Sequence, residues 1–231
     1  LPGNSVLVTL GLWDEFVARP FVRASTTLHE LGHNKGLWHG GAPAEWGNKA
    51  LNTPTFVEAN CKPNYLSSMS YLFQVHGLFD DLDNIHLDYS SVVEGQINEG
   101  AALPDAALSP TPNYQPAWFA PAGSSLATML GVSPAKRFCG GGTFGLTPPA
   151  STARVHTLIS GAPIDWDGDL NTTNHFAIAN QDVNFDKTVS AQRTSLFSGF
   201  NDWDAARLDQ LGAAAAGILP GSIEGSIDFA G

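Results

Sequence analysis

Basic residues are scarce in this chain. Of 231 residues only 11 are Lys or Arg, against 22 Asp or Glu, for a formal net charge of −11 and a pI near 4.8. An acidic surface repels phosphate, so neither nucleic acid nor an anionic membrane is the expected partner. Long apolar runs are missing too. The longest candidate, 213–219, is a short Ala-rich stretch stopped by Pro220, well under the roughly 18 residues that a membrane span needs. Charged residues make up only 14% against 43% hydrophobic, which excludes a disordered polyelectrolyte and leaves a globular chain. There are two cysteines and no paired C-x-x-C spacing, so a thiolate zinc site is excluded. The chain opens without an initiating Met, a charged n-region or an apolar h-region. A matured product or a fragment is therefore expected, with any signal or pro-segment outside it.

What is present is concentrated in one run, His29-Glu30-Leu31-Gly32-His33-Asn34-Lys35-Gly36-Leu37-Trp38-His39. It reads H-E-x-x-H-x-x-G-x-x-H, a zinc-protease spacing. Five fixed positions match by chance on the order of once in ten million starting points. On a helix each residue turns about 100°, so His29 and His33 share one face, a turn apart. Were the helix to continue, His39 would point roughly 240° away from His33. Gly36 tolerates the left-handed conformation that ends a helix and folds the chain back, which makes His39 a third ligand. Three protein ligands leave a fourth position for water, the arrangement of a catalytic rather than a structural zinc. Glu30 is placed to take a proton from that water. The blander reading is a helix with satisfied histidines, in which Thr27-x-x-Glu30 is a capping box.

Thirty residues beyond His39, Ser67-Ser68-Met69-Ser70-Tyr71 resembles the Met-turn of the metzincin family of zinc endopeptidases. The resemblance covers 24–74, including His39-Gly40-Gly41 and the flanks Cys61-Lys62-Pro63-Asn64-Tyr65-Leu66 and Leu72-Phe73-Gln74. It extends more loosely over Leu87-Asp88-Tyr89-Ser90 and 164–204, and is nearest to bacterial secreted metzincins. It implies an α+β, zincin-like fold forming one catalytic domain over 1–231. In that domain 1–39 is the remnant of a truncated N-terminal sheet subdomain carrying the zinc helix, and 40–231 is a loop-rich lower subdomain holding the Met-turn. It also implies Met69 as the floor beneath the metal, Tyr71 as a hydrogen-bond donor or extra ligand, and a protein or peptide substrate. By themselves Met69 and Tyr71 also suit core packing.

The family spends a hundred residues or so on its upper sheet before the zinc helix, and only 28 precede His29 here. The missing part is then a companion chain produced by processing, a segment outside this sequence, or a reduction of the fold. Substrate binding by strand addition depends on that sheet. The expected function is a secreted zinc-dependent endopeptidase. The alternatives are a non-catalytic, zinc-stabilised binding or structural fragment, and a zinc hydrolase of non-peptide bonds.

Other features leave two readings each. Cys61 and Cys139 suit one disulfide in an oxidising compartment or two free buried thiols. Asp165, Asp167 and Asp169 alternate as calcium ligands do, with Asp182, Asn184 and Asp186 placed to close the same site. The same residues also suit a solvated loop chosen for turn chemistry. Asp80-Asp81-Leu82-Asp83 reads as surface. His76, His86, His156 and His175 lack ligand spacing. Asn171-Thr172-Thr173 is an N-glycosylation sequon, relevant only in a eukaryotic secretory route. The pattern predicts a buried strand over 5–13, a helix over 21–35, loop over 40–64, and a surface helix over 87–108 bearing Glu94 and Glu99. Irregular chain is expected over 104–149 and a final helix over 204–217.

Overall fold

The computed structural model describes residues 8, 19–47, 54–139, 151–173, 178–179, 181–186 and 196–206. The first element, α1 (Pro20–Asn34), begins with Pro at its first turn, where the missing N–H costs nothing. Its buried positions, Val22, Ser25, Thr26, His29 and Gly32, fall at the spacing of a single helical face. Thr27 lies mid-helix and donates from Oγ1 to the Arg23 carbonyl (2.8 Å), so the capping-box reading fails. The helix starts at Pro20, and no side chain of Arg19 caps it. The strand expected over 5–13 lies outside the described residues except for Val8, which belongs to no element.

After α1 come α2 (Tyr71–Gln74), β1 (Leu78–Phe79), β2 (Ile85–His86), β3 (Ile97–Asn98) and β4 (Ala102–Leu103). Then follow β5 (Ala117–Pro121), α3 (Ser125–Met129), β6 (Thr152–His156), β7 (Ile178–Ala179), β8 (Leu196–Phe197) and α4 (Asp202–Ala205). Among the described residues the strands form two-stranded antiparallel sheets, β1 with β2, β3 with β8, β4 with β7 and β5 with β6. The architecture is therefore mixed, with helices and small antiparallel sheets. No helix among these residues is long and apolar enough to cross a membrane.

The larger core gathers on β5 and β6, where Trp118, Ala120, Ala153 and Val155 are buried with Leu72, Phe73, Leu78, Ile164 and Phe197. A smaller cluster of Leu37, Tyr65, Met69 and Tyr89 lies beside α1. Cys61 and Cys139 are joined as a disulfide, tying the segment before α2 to the chain after α3.

Three expectations need correction. The segment 87–108 is not a surface helix: it runs without regular structure into β3 and β4, and both acidic residues are buried, Glu94 at 4% exposure and Glu99 at 0%. Gly95 and Gly100 weaken any helix there, the Val92-Val93 pair disfavours one, and β8 and β7 offer the backbone ladder partners. The segment 104–149 holds β5 and α3 despite its prolines. They form because Trp118 and Phe119 bury against the core and Ser124 caps α3 by accepting from Ala127 N. Of the final helix only α4 is seen, one turn long and followed by extended Ala206; residues 207–217 lie outside the described ones.

Candidate metal centre

The end of α1 shapes the site. Gly36 adopts φ +88°, Leu37 N donates to Gly32 O (3.0 Å) and Gly36 N to His33 O (3.0 Å). This is the Schellman pair of bonds, which reverses the chain and satisfies carbonyls that the helix leaves open. The reversal brings His39 back onto His29 and His33. The Nε2 atoms of His33 and His39 are 2.9 Å apart, and those of His39 and His29 3.1 Å.

The other ring nitrogens decide what this convergence means. His29 Nδ1 lies 2.9 Å from Ser68 O, and His33 Nδ1 lies 3.0 Å from Leu37 O. A carbonyl only accepts, so both Nδ1 atoms carry a proton, and in the neutral form of either ring the bare lone pair is the inward Nε2. Burial, and after it the two neighbouring imidazoles, lowers the His39 pKa to about 3. Burial is also the largest influence lowering that of His29. His29 and His39 are thus neutral near pH 7, and lone pairs crowd where the three Nε2 atoms meet. A cation resolves that repulsion. A tetrahedral ion with bonds of about 2.0–2.1 Å holds its ligands about 3.3 Å apart, close to the separations found. Three imidazoles suit zinc, copper, iron or nickel far better than a hard cation.

Ser68 belongs to the turn of Ser67–Ser70, closed by Ser70 N donating to Ser67 O (3.0 Å). Every residue from 61 to 70 is buried. Met69 is fully buried beneath α1, and a Cβ added at Gly32 would lie 2.2 Å from its Sδ. Only glycine lets helix and turn approach this closely. The turn is braced from far along the sequence. Asp202 accepts from the Tyr65 hydroxyl (2.7 Å), from Ser67 Oγ and from Ser90 N (3.1 Å), while Ser68 N donates to Asp88 O (2.7 Å). Burial above all raises the Asp202 pKa, opposed by those hydrogen bonds.

Tyr71 follows the turn directly. Its ring lies 4.5 Å from that of His39 and 5.6 Å from that of His29, centroid to centroid, and it is 37% exposed. Burial first, and the nearby Glu30 carboxylate second, raise its pKa, so the hydroxyl stays a proton donor at neutral pH. Glu30, half-buried, makes no hydrogen bond or ion pair among the described residues. It acts on His29 and Tyr71 through its charge alone. A cavity of about 390 Å³ is lined in part by Tyr71 and Leu72.

The acidic residues fall into two sets, not one. Asp165, Asp167 and Asp169 cluster together, and Glu99, Asp182 and Asp186 cluster separately. Asp167 Oδ1 accepts from Asp169 N and Asp169 Oδ1 from Asn171 N, so much of the alternation serves side chain–backbone turns. Asn184 lies beside the second set: its Nδ2 donates to Asn60 O and Asp186 Oδ2, and its buried Oδ1 has no hydrogen-bond partner. Asp80 accepts from Leu82 N and Asn84 N in the β1–β2 turn, and Leu82 is exposed, as a surface loop should be. His86 pairs with Asp80 and His156 lies by Gln115; His175 is outside the described residues.

Sequence reading missed Asp202, the ligand-type grouping of Glu99 and the half-buried Arg154 of β6. No spacing could have found Asp202, which meets Ser67 across 135 positions. No family model, no curated protein and no solved structure matches the chain.

Proposed function

We propose that this chain is a zinc-dependent endopeptidase of the metzincin type, working outside the cell on protein or peptide substrates. The observation that carries the reading is the convergence of three Nε2 atoms, those of His29 and His33 turned inward by their Nδ1 bonds, with Glu30 and Tyr71 at their edge. The disulfide between Cys61 and Cys139 supports an oxidising location. When bound by His29, His33 and His39, zinc supplies Lewis acidity that polarises a carbonyl and makes water nucleophilic near neutral pH. The carboxylate of Glu30 takes the proton from the attacking water and hands it to the departing amine. The Tyr71 hydroxyl donates to the carbonyl oxygen as negative charge develops there. Ser68 O fixes the His29 tautomer, and Met69 holds the turn that carries Ser68.

The test is cleavage of casein by the zinc-loaded protein, by the same protein with a chelator, and by Glu30→Gln. Chelation should abolish cleavage, and Glu30→Gln should lower it about 10²–10⁴-fold with zinc content unchanged. Full activity in Glu30→Gln would remove the residue from the mechanism. Stoichiometric zinc without any cleavage would favour the non-catalytic, zinc-stabilised alternative.

Calcium is the second ion of this reading, held by Asp165, Asp167 and Asp169. Burial lifts the Asp165 pKa to about 6, with the adjacent Asp167 adding to the effect, a crowding of carboxylates that a cation would relieve. Adding calcium to zinc-replete protein should raise its melting temperature; no shift at millimolar calcium would dispose of the site.

A further inference from the structure

The cavity beside Tyr71 contains the Arg154 guanidinium, which no carboxylate among the described residues pairs. It is lined by Tyr71, Leu72, Phe119 and Val132 together with Arg137, Arg154 and His76, and among the described residues no Asp or Glu reaches it. In a chain with twice as many acidic as basic residues, this is a local reversal of sign.

Arg154 is placed by strand periodicity. Ala153 and Val155 of β6 are buried in the core while Thr152, Arg154 and His156 alternate onto the other face. Its Nε donates to the carbonyl of Leu72 (2.8 Å), the residue after Tyr71, and its Cζ sits 5.7 Å from the centre of the Phe73 ring. The guanidinium has five N–H donors, and this is the one that the described residues engage. Nη2 is shielded from solvent without a hydrogen-bond partner, and no carboxylate pairs with the side chain among the described residues. Burial pulls its pKa down to about 10, which still leaves it a cation at neutral pH. A half-buried cation with idle donors is costly to keep, and a planar carboxylate meets its fork with two parallel bonds.

We propose that this cavity is a carboxylate-selecting subsite, in which Arg154 pairs with an Asp or Glu side chain of the substrate beside the bond that is cut. The proposal rests on the endopeptidase reading above and gives it a substrate class. Tyr71 connects the two places, since one ring both overlies His39 and forms the cavity wall. Arg154 acts here as a specificity-determining residue.

The experiment digests a mixed-sequence peptide library with zinc-loaded protein and sequences the new termini, for wild type, Arg154→Met, Arg154→Lys and Ser133→Glu. Ser133 is an exposed residue on the cavity wall, so Ser133→Glu supplies a competing carboxylate even if Arg154→Met fails to fold. Wild type should select Asp or Glu at one position next to the cut. Ser133→Glu and Arg154→Met should lower the ratio of acidic to apolar cleavage about 10-fold or more, and Arg154→Lys should fall between. Cleavage without acidic preference, or a preference that both Ser133→Glu and Arg154→Met leave intact, would overturn the subsite and spare the endopeptidase. If no peptide is cut, binding of a fluorescent Asp-containing peptide decides the subsite alone. Binding weakened in Ser133→Glu supports it, and absence of binding to wild type overturns it.

Discussion

Gly32 is the residue on which two demands meet, since it lies between the first two clustered histidines of α1 yet offers no ligand itself. Its missing side chain is what admits Met69 beneath α1. Gly32→Ala should gain about 1 kcal/mol of helix propensity and lose more to the buried collision, about 1–3 kcal/mol as overpacking costs. A net loss of stability is expected in urea melts. Zinc affinity should fall with it, because the displaced turn carries the carbonyl that orients His29. Unchanged stability together with unchanged affinity would show that turn and helix separate freely. Glu30 makes the opposite case: no bond restrains its carboxylate among the described residues, so substitution there should cost chemistry and not folding.

At the scale of elements, the segment leading into β3 shows a buried acid where a surface one is expected. Glu94 is enclosed, its Oε2 has no hydrogen-bond partner, and burial raises its pKa to about 7. The folded state therefore binds the proton more tightly than the unfolded chain, whose value is near 4.5. Stability is greatest below the unfolded value and declines as pH rises from about 4.5 to about 7. The ionised group then costs up to about 3 kcal/mol. Glu94→Gln removes that slope: its advantage over wild type should be larger at pH 8 than at pH 4.5, by chemical denaturation, and a constant difference would refute the assignment. The same segment marks where sequence reading stops. The histidine positions and the reversal at Gly36 are legible because every contact involved lies within a few residues on one helix and its cap. Whether Glu94 faces water or the core, and whether 97–103 pairs as strand, depends on partners about a hundred positions away. The proline and glycine of 104–149 point to irregular chain, and what Trp118 and Phe119 bury outweighs them.

Across the whole molecule, distant segments are held to the site by a few long ties. The Cys61–Cys139 bridge closes 78 positions of chain. Replacing both cysteines with Ala should cost about 2–5 kcal/mol, read as a lower denaturation midpoint, and no change in midpoint would mean that packing alone holds the loop. Asp202 is the longer tie, gathering Tyr65, Ser67 and Ser90 from the far end of the described chain. All three histidines, Glu30 and Tyr71 lie within the first 71 residues, so they emerge from a ribosome long before the residue that braces them. The nascent chain thus holds the full set of reactive groups on an unfinished mount. The site is braced only when that last clasp is fastened, so its geometry is completed late in synthesis.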